Sequence, residues 1–518
     1  MEEEFGSFQT EPTYRTFGAC EIAIANPCAL IIFGGYGDLA KRKLIPSLYR
    51  LFKNNLLSEQ CLILGTDRVE ATDDSYREMM YRAVRANLPR DFDQTSWDRF
   101  ARALYYCAFD YSLAESYETS LRQRLASLEE KHATEGNSIF YLATLPGVFP
   151  TVIRNLRKTG LSALGKGGYP YIIIEKPFGR DLNSARELNR VLKGCFTERQ
   201  IFRIDHYIAK ETVQNMLIFR FANSIFEPLW NRSFIDHVQI SAVETLGVEH
   251  RAGYYEQAGV IRDMFQSHML QLLAVTAMEP PVKFEADRVM DEKVKIFRSM
   301  LPFPLENISE SVVVGQYSTG TINGGAVPSY REEPGVAPDS GTSTYAAMKV
   351  FIDNWRWNGV PFYLRSGKRL STRKTEISIH FKRVPHLMFS SVMDESIDPN
   401  VLVFRIQPQE GIHLAFETKK PGSRICVNPN PVVMDYSYEA GVFLDAYEWV
   451  LLDCIRGDQM LFLRQEGVEE TWKLLTPLLE RLEATAGTAS GPNYAAGTAG
   501  PEEAHLLMAR DGRSWRPL

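Results

Sequence analysis

An unbroken apolar run, CALIIF at 28–33, leads directly into GGYGDLA at 34–40 and then into KRKLIPSLYRLFKNNLL. The first stretch is short, rich in Ile and bounded by glycine, so it reads as a buried strand. The last carries Leu44, Leu48, Leu51 and Phe52 at helical spacing, with Pro46 near the first turn, where a missing N–H costs little. A buried strand that turns on glycine into such a helix opens a βα unit. These units stack into a parallel sheet with helices on both faces. CLILGTDR at 61–68, SIFYLATLP at 138–146 and YPYIIIEKPFG at 169–179 supply further strands of this kind. Residues 26–205 are therefore expected to form an α/β, Rossmann-like dinucleotide-binding domain.

The pattern changes after residue 205. FIDHVQISAVETL, SVVVGQYSTG, AAMKVFIDNW, VPFYLRSGK, TEISIHFKRV and NVLVFRIQP are strand-like, and the later ones have little helix between them. Consecutive strands on short connections predict an antiparallel sheet. The helical stretch 257–278 is expected to pack on one face of it. At 518 residues the chain exceeds one ordinary core. Residues 206–518 are accordingly expected to form a larger α+β domain with a mainly antiparallel sheet, serving substrate binding and oligomerisation. Residues 1–25 are expected to be a flexible tail, and the Ala/Gly/Thr-rich 483–503 a flexible loop.

Composition narrows the function classes. A net charge of −6, without a basic arm or stripe, argues against a nucleic-acid partner. No apolar run approaches the roughly 20 residues that span a bilayer, and the acidic MEEEFGSF start lacks the pattern of a secretory signal. The seven cysteines form no C-x-x-C pair, which predicts free thiols in a reducing compartment and no metal site. A cytoplasmic location is expected.

Four motifs carry chemistry. Glycines after the first strand let the backbone approach a pyrophosphate at a helix N-terminus; a tight turn alone would read the same. Asp67-Arg68 closes the second strand, where an acid favours NAD and an arginine the 2′-phosphate of NADP. RIDHYIAKETVQN at 203–215 gathers Asp205, His206, Tyr207 and Lys210. With a helix starting near Tyr207, His206 and Lys210 would share one face, and a phosphate between them would satisfy both. In GVIRDMFQSHMLQLLAV, Asp263 and His268 interrupt an apolar helix. Five residues apart, they would stand roughly 140° from each other on an α-helix. The cationic run YLRSGKRLSTRK at 363–374 is a solvated face or a phosphate-binding cleft.

Together FGGYGDLAKRKLIPSLYRLF, IIIEKPFGRDL, RIDHYIAKETVQNMLIFRFAN, EQAGVIRDMFQSHMLQLLAVTAMEPP and WNGVPFYLRSGKRLSTRKTEI resemble the glucose-6-phosphate dehydrogenase family, in that family's order, from about residue 28 to 480. The resemblance implies an oxidoreductase that transfers hydride from C1 of D-glucose 6-phosphate to NADP. The products would be 6-phospho-D-glucono-1,5-lactone and NADPH, in the first step of the oxidative pentose phosphate pathway. It implies His268 as the base and Asp205 as its partner. It implies His206, Tyr207 and Lys210 at the phosphate, Lys176 touching sugar and cofactor, and Glu244 and Asp263 at the sugar hydroxyls. Lys368, Arg373 and Gln407 align with further substrate residues. Gly34, Gly35, Gly37, Asp38 and Leu39 match the coenzyme turn, and Arg68 the 2′-phosphate contact. Family members are homodimers or homotetramers.

Animal members hold a second, structural NADP. Arg365, Lys374, Arg405 and Trp515 match that site, but Ser378, His413, Ala415 and Ala499 replace its arginine, tyrosine, lysine and second arginine. The substitutions predict no second nucleotide. The remaining cations are expected to pair with carboxylates, Asp435 among them. Two alternatives stand beside this reading: a dehydrogenase of the same architecture acting on another aldose, and an inactive NADP-binding sensor. Retention of His268, Asp205 and Lys210 argues against the sensor.

Overall fold

The computed structural model describes residues 22–163, 168–386, 388, 397–422, 427–435, 444–486 and 492–518. Most of the expected tail, together with Cys20 and Cys426, lies outside the described residues.

The first sheet contains β1 (Ala29–Phe33), β2 (Leu62–Asp67), β3 (Leu104–Ala108), β4 (Ser138–Leu142), β5 (Pro170–Ile174) and β6 (Ile201–Ile204) in the order 6-5-4-1-2-3, all parallel. β1 is buried throughout, as its alternation-free sequence requires. Strand order reverses beside β1, so the ends of β1 and β4 open the crevice where dinucleotides bind in such sheets. The helix Ile45–Lys53 covers one face through Leu48, Leu51 and Phe52. Phe149–Lys158 and Leu182–Lys193 cover the other.

The second sheet is built from β7 (Ile235–Val243), β8 (Val312–Gly315), β9 (Tyr345–Phe351), β10 (Pro361–Gly367), β11 (Lys374–Phe381), β12 (Val401–Gln407), β13 (Gly411–Lys419) and β14 (Val427–Asp435). Its order is 14-13-12-11-7-10-9-8, and every neighbouring pair is antiparallel except β7 with β10. The chain is thus a Rossmann-like domain joined to a larger α+β unit with a mainly antiparallel sheet. The two are not separated cleanly in sequence. A short strand, β15 (Phe462–Leu463), returns to pair antiparallel with β6, and the helix Ala446–Arg456 packs against Ile45–Lys53.

Three local expectations are corrected. The helix after Asp205 begins at Glu211, not near Tyr207. The Asp205 carboxylate accepts the Tyr207 N–H at 2.9 Å and holds the backbone in a turn, an alternative that Asp side chains offer to helix. His206 and Lys210 therefore do not share a helical face. The segment Ile261–Met269 is π-helical. With i→i+5 bonding the turn is wider than that of an α-helix, so residues five apart come nearer to one side, and Asp263 and His268 both reach Lys176. Finally, 483–503 is not one long loop. The helix Gln465–Ala486 extends into it, residues 487–491 lie outside the described residues, and Tyr494-Ala495 pairs with Tyr317-Ser318. Tyr494 is buried and donates to the Lys368 carbonyl.

Candidate active site

The ends of four strands converge. Lys176 and Asp205 lie just beyond the C-termini of β5 and β6. Glu244 and Lys368 lie just beyond β7 and β10, the one parallel pair of the second sheet. Parallel pairing is what brings the ends of β7 and β10 to the same side. The π-helical segment lays His268 across the gap.

His268 is fully buried. Its Nδ1 is 2.6 Å from Asp205 Oδ1, and its Nε2 is 2.7 Å from Lys176 Nζ. One tautomer satisfies both contacts: Nδ1–H donates to the carboxylate, and the Nε2 lone pair accepts from the ammonium. Lys176 also donates to the Asp263 carbonyl at 2.8 Å and to its carboxylate at 3.2 Å. Burial pushes His268 below the ordinary imidazole range; Asp205 pulls it up and Lys176 pushes it down again. Burial opposes charge on Asp205, yet His268, the hydrogen bond between them and His206 hold the carboxyl well below the usual range. Asp263 is held low against burial by Lys176, Arg251 and Lys368. The result is a neutral imidazole whose Nε2 faces a cation, backed by a carboxylate: a proton acceptor of suitable basicity.

His206 and Tyr207 flank this imidazole, with ring centroids 4.7 and 4.2 Å from it. Burial, with His268 and Lys176 nearby, drives His206 well below its ordinary value, so it stands neutral as a hydrogen-bonding group. Lys210 donates to Gln407 Oε1 at 2.9 Å, and Gln407 donates in turn to Thr375. Arg373 is exposed and adds positive charge beside Lys210. Glu244 accepts from Lys368 at 2.7 Å.

The residues expected on the cofactor side lie around the ends of β1 and β2. Gly34 has φ +86°, and a Cβ on it would sit 2.7 Å from the Ala143 carbonyl oxygen; one on Gly35 would sit 2.6 Å from Gly65. Both glycines let the turn nest between β2 and β4. Gly37 follows, and Asp38 and Leu39 open the helical run, where N–H groups have no earlier carbonyl to meet. Asp38 itself pairs with Arg42. Arg68, just past β2, is exposed and 3.4 Å from Asp110, while Asp67 accepts the Arg68 N–H.

Several neighbours had no signal in sequence. Arg251 and Tyr254 reach Asp263 at 3.7 and 3.3 Å. Tyr141 donates to Glu175 at 2.6 Å, as does Tyr447 at 3.4 Å, from far along the chain. No spacing rule links these positions.

Family models match in two parts: the NAD binding domain of glucose-6-phosphate dehydrogenase over residues 31–215, and its C-terminal domain over 217–516. The chain belongs to the glucose-6-phosphate dehydrogenase family. It is 45% identical to glucose-6-phosphate 1-dehydrogenase of Chlamydia pneumoniae, covering 95% of this chain and 96% of that one. The enzyme of Aggregatibacter actinomycetemcomitans is 44% identical over 95% and 98% of the two chains. A solved glucose-6-phosphate dehydrogenase in complex with its substrate glucose 6-phosphate superposes with a TM-score of 0.86 at 34% identity, covering 96% of this chain and all of that one. Family membership makes this chain an oxidoreductase with a nucleotide-binding domain. Among the described residues no helix is long and apolar enough to cross a membrane.

Proposed function

We propose that the chain oxidises C1 of D-glucose 6-phosphate to 6-phospho-D-glucono-1,5-lactone, with NADP as hydride acceptor. The observation that carries this is the buried chain Asp205–His268–Lys176 between two strand ends. In this reading the C1 hydroxyl meets His268 Nε2, and Lys176 turns from the imidazole toward the sugar and the cofactor. Proton transfer to Nε2 creates an imidazolium that Asp205 stabilises. NADP, when bound, takes the hydride. Lys210, His206 and Tyr207 hold the phosphate, with Arg373 and Gln407 beside them. Glu244, Asp263 and Lys368 hold sugar hydroxyls.

The turn Gly34–Leu39 suits a pyrophosphate, because its backbone stands clear of side chains and opens a helix. Arg68 is free to leave its exposed pair with Asp110 for a 2′-phosphate, a contact worth about 1.5–3 kcal/mol. NADP is therefore preferred over NAD. Arg68→Ala should lower the NADP/NAD specificity ratio about 10- to 150-fold; an unchanged ratio would assign the phosphate to another cation.

A second, structural NADP is not part of this reading. Arg365 and Lys374 are engaged by the chain's own C-terminus. Arg365 donates to the Arg516 carbonyl and lies 4.5 Å from the Trp515 ring centroid, and Lys374 donates to the Pro517 carbonyl. Carbonyls, the Ser241 hydroxyl and a ring hold these two cations, and the expected carboxylate pairing is present for Lys374, 3.8 Å from Glu376. The side chain of Asp435 lies outside the described residues. A homo-oligomer, dimer or tetramer, is supported by β14, an edge strand carrying exposed Val432, Val433 and Met434. The location proposed is the cytoplasm. The deciding experiment is the near-ultraviolet absorbance of reduced nicotinamide with glucose 6-phosphate and NADP; galactose 6-phosphate and free glucose in parallel test the sugar.

A further inference from the structure

One buried charge has no task in the proposed reaction. Lys293 sits in the helix Ala286–Arg298 and is only 5% exposed. Among the described residues its ammonium makes no hydrogen bond and no ion pair. That helix packs on Leu270–Ala277, the direct continuation of the segment that carries His268. Lys293 and Gln271 line one small cavity with Phe462 and Leu463 of β15. Phe462 is the register partner of Ile204, the residue before Asp205. Gln271 Oε1 and Asp205 Oδ2 are among the acceptors buried here without a donor. The carboxylate whose charge acts on Lys293 is Asp205; burial pushes the ammonium down to about 8 against that pull.

A lone buried ammonium is costly, and a methionine would fill the same volume without desolvation. The other charges nearby do not account for it. Asp291, on the same helix, is taken by Arg464 at 2.7 Å, and Arg464 also holds Glu466; Glu292 is taken by Lys295. On the far side of the dyad, Lys176 is committed to Asp263 and His268, and Glu175 to Tyr141. His206 stands neutral. Arg203, at the same strand pairing, is taken by Glu198. Among the described residues, Asp205 is the carboxylate whose charge acts on Lys293 and whose second oxygen has no donor.

We propose that Lys293 is a positioning residue: its ammonium, lining the small cavity against β15, the strand that pairs with the β6 end carrying Asp205, adds to the hold that His268 and His206 exert on the Asp205 charge and tunes the pH at which His268 can accept the substrate proton. The proposal rests on the proposed function, and its sign is fixed. A cation near the dyad disfavours the imidazolium. Removing it lets His268 bind its proton more tightly, so the acid limb of kcat/KM moves to higher pH.

The test uses the full-length enzyme. Wild type is assayed first with glucose 6-phosphate and NADP; absence of activity there overturns the proposed function, not the role of Lys293. Lys293→Met should then shift the acid limb up by about one pH unit, with KM for both substrates within about twofold of wild type, because Lys293 touches neither. Lys293→Arg should restore the wild-type limb. A lower melting temperature with an unmoved limb would make Lys293 merely structural and overturn the proposal. Lys293→Gln replaces the methionine variant if that one does not fold. Should neither neutral variant fold, adding Asp205→Asn must restore folding, since the buried negative charge that Lys293 offsets is then gone; failure to restore it overturns the proposal.

Discussion

His268 is a helix residue among apolar neighbours, and by itself such a histidine says little. What gives it chemistry is one hydrogen bond on each nitrogen. His268→Asn should therefore keep substrate affinity and lower turnover roughly 10²–10⁴-fold, the span for losing a general base. Steady-state kinetics with a binding titration checks this; near-normal turnover would remove His268 from the reaction. Lys210→Ala should weaken use of glucose 6-phosphate far more than use of free glucose, because in the proposed reaction the lost contact is to the phosphate. A second histidine gives a different pH signal. His380 lies in β11, stacked on His237 at 4.1 Å, and is held down to about 2, by burial first and by His237 second. Its unfolded value is near 6.5. The folded state thus refuses a proton that the unfolded chain accepts. Its stability contribution is complete above pH 6.5 and is lost as pH falls toward 2, by at most about 1.4 kcal/mol per pH unit. Urea midpoints at pH 7.5 and 5 should fall less in His380→Phe than in wild type; equal falls would mean that His380 titrates normally.

At the scale of elements, the C-terminal segment is the clearest case of structure invisible in sequence. Arg513 pairs with Asp236 through both nitrogens, Gln239 donates to the Ser514 carbonyl, the Arg516 guanidinium meets Glu376, and Trp515 is buried with its indole N–H on the Ala504 carbonyl. Charged pairs and a buried ring hold this strap across β7, β10 and β11. Deleting residues 513–518 should lower the melting temperature by at least about 2 °C, and protein purified without nucleotide should release no NADP on denaturation. One equivalent of released NADP per chain would show that the strap and a second nucleotide coexist. The π-helical turn is the other such element. An α-helical period sets Asp263 and His268 apart, and the wider turn brings them toward one side. Nothing in IRDMFQSHM announces that period, because π-helical bonding depends on what the surrounding core accommodates.

In the molecule as a whole, the two large sheets meet at their strand ends. The sheet edge at β14 leaves Val432 51% and Met434 46% exposed, which is apolar surface a monomer would leave wet. Light scattering should give a mass at least twice the 58.9 kDa of one chain. Replacing Val432 and Met434 together by lysine should shift it toward one chain; an unchanged mass would place the contact elsewhere. The composition of the strands alone determined the parallel sheet, the change to an antiparallel sheet after residue 205, and the glycine turn of β1, because burial on one or two faces writes its period directly into the sequence. The RIDHYIAK and GVIRDMFQSH stretches, through their resemblance to a family, named the residues of the site. Tertiary structure decided what those residues do together. It set the turn at Asp205, which ended helix before it began, and the return of β15 to the first sheet. It brought Arg251 and Tyr254 to Asp263 and Tyr447 to Glu175, and it engaged Arg365 and Lys374 with the C-terminal segment. Those outcomes depend on contacts between distant segments and on the dielectric they create, and neither has a period along the chain.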